Sequence, residues 1–318
     1  MALFDRDILI KSLETFSKAP KGIPNGEVNA YLRHYHLYDS ACSGVYRIGR
    51  MVLDDVAVTL QLFQQRDAVI SKGLVVVCHG YMDHVGLYSH LITALQQDGF
   101  DVLCYDMSGH GLSDGDPLDV DDFEHYALQL NGLIKAFAHG GNRPIHLIGQ
   151  STGGAVVCAQ HLLLDNPQSL QGGKRILLAP LVRPAMWKSI RRRFRWLKYV
   201  IRRVPRRYSR SSHNHDFVTF LAENDPLQHN EIPVSWIGAM LAWGDWLEQQ
   251  KPSVEPVYII QGTEDRTVDW IHNLQVLEAV FPNNKVMTLK NARHHLVNES
   301  AQYLNPVLKF VSSVLSEP

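Results

Sequence analysis

Cysteine is scarce in this chain of 318 residues: there are four, Cys42, Cys78, Cys104 and Cys158, and none belongs to a C-x-x-C pair. So few, so spaced, argue against a disulfide framework, which small exported domains use, and against a zinc site, which wants closely paired ligands. Three of the four fall in apolar strand-like or helix-like stretches and read as buried free thiols. Long apolar runs are missing as well. Asp5, Arg6, Asp7 and Lys11 interrupt the start of the chain where an export signal would be continuous. No later stretch is apolar for long enough to cross a bilayer, so the expected location is cytoplasmic. Internal repeats and low-complexity tracts are absent, which excludes solenoids and linker-rich arrays.

Net charge is also lacking, with 31 Lys and Arg against 32 Asp and Glu, but the two signs are segregated. Residues 183–210 hold twelve of the basic residues and no acidic one, leaving 19 against 32 elsewhere. A basic segment is set into an acidic body.

Residues 6–16 could form a short amphipathic helix and residues 20–26 a loop; no chemistry is legible in the first 44 residues. Residues 45–50 and 56–63 alternate as β-rich runs around a polar Asp54-Asp55 turn, which predicts a hairpin. From residue 73 apolar strands alternate with helical patterns. The strands are predicted at 74–78, 102–105, 145–148, 175–178, 257–260 and 285–289. The helices are predicted at 87–97, 121–137, 152–164 and 270–280, with a last one over 296–315. Continuous apolar strands separated by helices predict a mostly parallel α/β sheet with helices on both faces. The alternation breaks over residues 181–250, an insertion holding the arginines and Trp236, Trp243 and Trp246. The reading is an α/β core of residues 1–180 and 251–318 and an inserted helical lid between them, placed beside the crevice at the strand ends.

Residues 145–154 read IHLIGQSTGG, a strand running into the G-x-S-x-G pattern. Small residues two before and two after Ser151 permit a sharp strand-to-helix turn that exposes the hydroxyl as a nucleophile. A serine so used needs a base, an orienting acid and donors for an oxyanion. After the strand at 74–78 comes His79-Gly80-Tyr81-Met82-Asp83-His84, whose turn can offer the N–H of Tyr81; the N–H of Thr152 follows the serine. After the strand at 257–260 comes Gly262-Thr263-Glu264-Asp265, with Asp265 as candidate acid; Glu264 is expected to point elsewhere, and Asp269 to begin a helix. The last strand delivers Asn291-Ala292-Arg293-His294-His295, so either histidine can be the base. His79, His84 and His110 are expected to brace turns. His213 and His215 are remote candidates for a metal, and no metal or cofactor is expected.

These motifs, in this order over residues 45–315, resemble the α/β-hydrolase superfamily, and within it the monoglyceride lipase and lysophospholipase-like serine hydrolases. Residues 105–115, YDMSGHGLSDG, are similar to that group's D-x-x-G-H-G-x-S segment. The resemblance implies catalytic Ser151, Asp265 and His294, selecting His294 over His295, with Tyr81 and Thr152 as the oxyanion hole. His295 is then expected at a helix start, touching solvent or the lid. The chain departs from the group at Ser108, Gln150 and Asn291, where many relatives carry Arg, His or another residue, and Gly. The implied activity is hydrolysis of carboxylic esters, acylglycerols or lysophospholipids, through an acyl-enzyme. A peptidase or acyltransferase using the same groups, and a non-catalytic lipid-binding protein of the same fold, are the alternatives.

Residues 191–204, RRRFRWLKYVIRRV, place Phe194, Leu197, Ile201 and Val204 at helical spacing, with Trp196, Tyr199 and Val200 widening the stripe. The expectation favours packing of that stripe on the body, with the arginines meeting its acidic surface. The rival is peripheral contact with an anionic membrane through Arg191, Arg192, Arg193, Arg195, Lys198, Arg202 and Arg203. Nucleic acid is not an expected partner, because the acidic body repels phosphate.

Overall fold

The computed structural model describes residues 4–24, 26–67, 71–138, 143–206 and 210–317; Asn25, in the expected loop, and Arg207, in the basic run, lie outside them. Three helices lead the chain, α1 (Arg6–Ser12), α2 (Glu27–His34) and α3 (Tyr38–Ser43). The core follows as β1 (Val45–Leu53), β2 (Val56–Gln64), β3 (Leu74–Cys78), α4 (Ser89–Gln97), β4 (Asp101–Tyr105), α5 (Phe123–Ala138), β5 (Ile145–Gln150), α6 (Thr152–Leu162) and β6 (Arg175–Leu178). The insertion contributes α7 (Trp187–Leu197), β7 (Arg203–Pro205), α8 (His215–Glu223), β8 (Glu231–Pro233) and α9 (Val234–Leu247). The core resumes with β9 (Val257–Gly262), α10 (Trp270–Val280), β10 (Lys285–Leu289) and α11 (Ala301–Ser316).

Eight strands form one sheet in the order β1-β2-β4-β3-β5-β6-β9-β10. β1 and β2 are antiparallel, as is the β2–β4 pair, and the strands from β4 to β10 are parallel. The hairpin turns on Asp54 and Asp55, both at positive φ (49° and 61°), the conformation a two-residue hairpin turn demands. Parallel strands covered on both faces must be apolar on both. Val76, Leu103 and Leu147 pack under α5 and α6, while Val75, Val77, Val102 and Ile148 face α4, α11 and the N-terminal helices.

Three expected helices are shorter or divided. The one expected at 6–16 ends at Ser12, because residues 14–16 run alongside β1 instead: Phe16 N donates to Arg50 O and Arg50 N to Glu14 O. Gly49 makes that approach possible, since a Cβ there would lie 2.8 Å from the Phe16 Cα. The stretch from 85 to 97 is a 3-10 turn (Val85–Tyr88) followed by α4, and the last one begins as a 3-10 turn (Leu296–Asn298) before α11.

The N-terminal segment does more than cap an edge. Tyr35, at the end of α2, donates its hydroxyl to Asp225 Oδ1 at 2.7 Å, and His84 Nε2 meets Asp225 Oδ2 at 3.0 Å. Asp225 belongs to the insertion, so one buried carboxylate joins it to the N-terminal helices and to the turn after β3. Burial pushes the His84 pKa down, but the Asp225 charge more than offsets this and holds it above its ordinary value. Burial likewise raises Asp225, and the His84 charge with the Tyr35 and Gln228 hydrogen bonds brings it down to about 2. The His84 contribution is therefore complete below about pH 6.5 and lost as pH rises through its folded pKa; that of Asp225 is complete above about pH 4 and lost toward pH 2. Asp225→Ala is expected to lower the unfolding free energy by about 2–3 kcal/mol near pH 6, less than a stranded charge costs because His84 can deprotonate. Urea denaturation measures it, and the deficit should shrink as pH rises through the folded pKa of His84.

Candidate active site

Ser151 sits between β5 and α6 at φ 53° and ψ −113°, a backbone conformation that costs free energy in a non-glycine residue. The two flanking glycines explain how the chain tolerates it. A Cβ on Gly149 would stand 2.2 Å from the Gly153 carbonyl oxygen, and one on Gly153 would stand 2.0 Å from the Cys78 carbonyl oxygen. Both obstacles are backbone, so only glycine fits. Ser151 N donates to Leu178 O and Leu181 N to Ser151 O, which tie the turn to β6 and to the start of the insertion.

His294 arrives on the loop after β10. Asn291 begins that loop at φ 67°, which explains how asparagine serves where many of the resembled group carry glycine. Gly262, the last residue of β9, leaves room for the loop, since a Cβ there would meet the carbonyls of Ala292 and Arg293 at 2.4 and 2.6 Å. His294 Nε2 is 2.9 Å from Ser151 Oγ, and Nδ1 is 2.7 Å from Asp265 Oδ2. With its proton on Nδ1, His294 donates to the carboxylate and presents Nε2 as acceptor to the serine hydroxyl. Asp265 is held at both oxygens: Thr267 N and Val268 N donate to Oδ1, and Gln261 Nε2 to Oδ2. Burial raises the Asp265 pKa, but the His294 charge and these hydrogen bonds bring it below its ordinary value. Burial lowers His294 and the Asp265 carboxylate more than compensates, leaving it raised. Glu264 points away, 3.7 Å from His213, and Asp269 caps α10 by accepting from His272 N.

Tyr81 and Thr152 both line the cavity above Ser151. Thr152 is the first residue of α6, so its N–H belongs to the first-turn donors that no helical carbonyl accepts. The turn carrying Tyr81 is fixed from several sides: Tyr88 accepts from Gly80 N, Met82 adopts φ 65°, and the Tyr81 ring stacks on Trp236 at 3.5 Å between centroids. Asp106, which opens the D-x-x-G-H-G-x-S segment, accepts from Val85 N and Leu112 N and so holds that turn against its neighbour.

Two residues near the serine have contacts the sequence did not disclose. Gln150 Nε2 donates to the His294 carbonyl at 2.9 Å, tethering the loop that carries the histidine. His295 does not face solvent. It is buried, with Nε2 at 3.1–3.2 Å from both oxygens of Asp83 and its ring 4.7 Å from Phe217 of the insertion. Burial raises Asp83, while the His295 charge and a hydrogen bond from Tyr88 bring it well below the usual carboxylate range. His79 and His110 bond the carbonyls of Gly80 and Ser108, as turn braces do; His84 reaches the insertion instead. His213 bonds Glu299, and His215 begins α8. All four cysteines are free, three of them buried.

A cavity of about 340 Å³ opens over Ser151, walled by apolar side chains including Leu181, Ile190, Val218, Leu221, Ile237 and Met240. The sequence profile of serine aminopeptidase, S33, matches residues 70–301. The chain belongs to this family. The monoglyceride lipase homolog of Monkeypox virus is 25% identical over 254 residues, 76% of this chain and 88% of that protein. The monoglyceride lipase of Rattus norvegicus is 26% identical over 258 residues, 77% of this chain and 82% of its own. Among solved structures, a soluble variant of the Saccharomyces cerevisiae monoglyceride lipase, in complex with a substrate analog, superposes with a TM-score of 0.73 at 17% identity, covering 84% of this chain and 94% of that one. The α/β-hydrolase fold of this S33 member is shared with that structure.

The insertion departs from expectation at its basic segment. The helix expected over 191–204 is instead α7, starting at Trp187 and ending at Leu197, because residues 203–205 pair with β8. Ile190 and Phe194 pack inward, and the Phe194 ring lies where a Cβ on Gly238 would stand, 2.9 Å away. Trp196, Tyr199 and Val200 do not pack: they are 76%, 79% and 77% exposed. Part of the basic segment meets the acidic body: Lys198, Arg202 and Arg203 share a cleft with Asp116 and Asp119. Arg191 pairs with Asp245 of α9, within the insertion, and Arg203 donates to the Pro117 carbonyl. Among the described residues no helix is long and apolar enough to cross a membrane.

Proposed function

We propose that this S33 member hydrolyses carboxylic esters through an acyl-serine intermediate, with Ser151 as nucleophile, His294 as base and Asp265 as its orienting acid. The contact of Ser151 Oγ with His294 Nε2 at the floor of an apolar cavity carries the reading. Ser151 Oγ attacks the ester carbonyl as its proton passes to Nε2; the N–H groups of Tyr81 and Thr152 hold the oxyanion. His294 then gives the proton to the departing alkoxide. Water, losing a proton to the same nitrogen, cleaves the acyl-serine and releases the acid. The apolar walls suit an acyl chain, which points to acylglycerol or lysophospholipid-like substrates under a lid formed by the insertion. The family's own description names aminopeptidases, which must hold a substrate ammonium. The carboxylate lining this cavity, Asp83, is already bonded to His295 and Tyr88, which favours the ester. A fluorophosphonate probe is expected to label the protein at Ser151, with an ester panel turned over and amino-acid amides left intact. Absence of labelling, or faster turnover of the amides, would contradict the proposal.

The exposed Trp196, Tyr199 and Val200, beside Arg192, Arg193, Arg195, Lys198 and Arg202, support a second element of this reading. This edge of the lid touches anionic membrane, where each cation near the surface contributes about 1 kcal/mol and the aromatic rings enter the headgroup layer. Flotation with phosphatidylserine vesicles, weaker for a Trp196→Ser, Tyr199→Ser protein and at high salt, is the expected result.

A further inference from the structure

A second cavity, of about 310 Å³, lies on the other side of His294, walled by Arg210, Ser211, Glu264, Arg266, Thr267, Arg293 and His294. It shares Ser211, Thr267 and His294 with the apolar cavity, so His294 borders two spaces of opposite character. Three arginines converge on it. Arg210 and Arg266 have no ion pair among the described residues, and Arg293 is held in place by donating Nη1 to the Ser212 carbonyl at 2.8 Å. The carboxylate in the wall, Glu264, lies toward His213. Such a cluster of guanidinium groups in a concave site is built to receive an oxyanion through charge-assisted hydrogen bonds.

The proposed reaction bears on which part of a substrate meets this cavity. The group that receives the proton from His294 is the oxygen of the departing alcohol, and because His294 borders both cavities the alcohol can extend toward this one while the acyl chain fills the apolar side. We infer that the arginine-walled cavity seats the alcohol portion of the ester and selects an anionic one, a phosphate monoester carried on a glycerol-like alcohol. This deepens, and rests on, the ester hydrolase reading. The step stays balanced: the ester C–O bond breaks, the alkoxide takes the His294 proton, and the anionic alcohol leaves through the cationic cavity while the acyl group stays on Ser151.

The test compares 1-acylglycerol 3-phosphate with 1-acylglycerol of the same chain length on the full protein. The phosphate ester is expected to be cleaved with a kcat/KM at least tenfold higher, and the ratio to fall about tenfold in Arg266→Gln and again in Arg210→Gln. Equal turnover of the two esters, or a ratio that neither variant moves, would overturn the inference. Binding gives a readout independent of catalysis: in Ser151→Ala protein, glycerol 3-phosphate should bind by calorimetry, more weakly after Arg266→Gln, and better than inorganic phosphate or glycerol. Tighter binding of inorganic phosphate than of glycerol 3-phosphate would overturn the alcohol assignment. Were no ester cleaved while glycerol 3-phosphate still bound in an Arg266-dependent way, the hydrolase reading would fall and the anion site would stand.

Discussion

Asp265→Asn is expected to leave the protein folded and to lower kcat about 10⁴-fold in an ester assay. The reason lies in what surrounds the carboxylate. Oδ1 accepts from two backbone N–H groups, Thr267 and Val268, and Oδ2 accepts from Gln261 and His294, so all four partners are donors. An asparagine has one amide group that can only donate, and wherever it is placed it opposes a donor. If the amide faces His294, the imidazole gives up its Nδ1 proton, takes the other tautomer, and can no longer accept from Ser151. If it faces the backbone, two N–H groups lose their acceptor. The pH profile distinguishes the loss of orientation from mere disturbance. As the proposed base His294 works only when neutral, and the Asp265 charge raises its pKa above 6.5 against the downward pull of burial. The acid limb of kcat/KM should therefore have its midpoint above pH 6.5 in the parent and move downward in Asp265→Asn, where only the Asp83 charge is left to oppose burial. A midpoint that stays in place would show that Asp265 does not set the imidazole charge.

Ser151→Ala carries the largest expected effect, a fall in kcat of about 10⁶-fold with stability nearly unchanged. Alanine meets the same positive φ as serine, so the substitution neither relieves nor adds strain, and a thermal melt should differ by no more than a degree or two. The residual rate above that in water would come from the oxyanion donors at Tyr81 and Thr152 stabilising the charge on the substrate carbonyl oxygen as water attacks it. Turnover comparable to the parent would remove Ser151 from the chemistry and with it the acyl-enzyme route.

The sheet and the four loops around Ser151 were legible because each is written locally: apolar strands such as Leu74–Cys78, helical spacing in the segments between them, and chemical groups placed just beyond strand ends. Glycines carried part of the signal, since Gly149 and Gly153 answer to atoms a few residues away or on the adjacent strand. What the sequence concealed depends on distant partners. His295 reads as a helix start touching solvent or the lid, and although it does touch the lid at Phe217, its pairing with Asp83, 212 residues earlier, is not announced by either neighbourhood. Tyr35 and Asp225 are 190 residues apart, and nothing in either neighbourhood announces the other. The end of α7 at Leu197 was hidden because residues 198–204 keep helical spacing; a three-residue pairing with β8 wins over that local preference. Gln150 looked like a departure from the resembled group, and its amide turns out to hold the loop of the base.

The glycine contacts around Ser151 also show what holds the proposed nucleophile in its strained turn. Gly153 lies against the Cys78 carbonyl, and Cys78 pairs with Gly149 in the β3–β5 register. The backbone turn at Ser151 is therefore set by the packing of those two central strands, together with its hydrogen bonds to Leu178 and Leu181. On the proposed reading, substrate arrival then has no backbone rearrangement to drive at Ser151, because the strained turn is already held by strand packing.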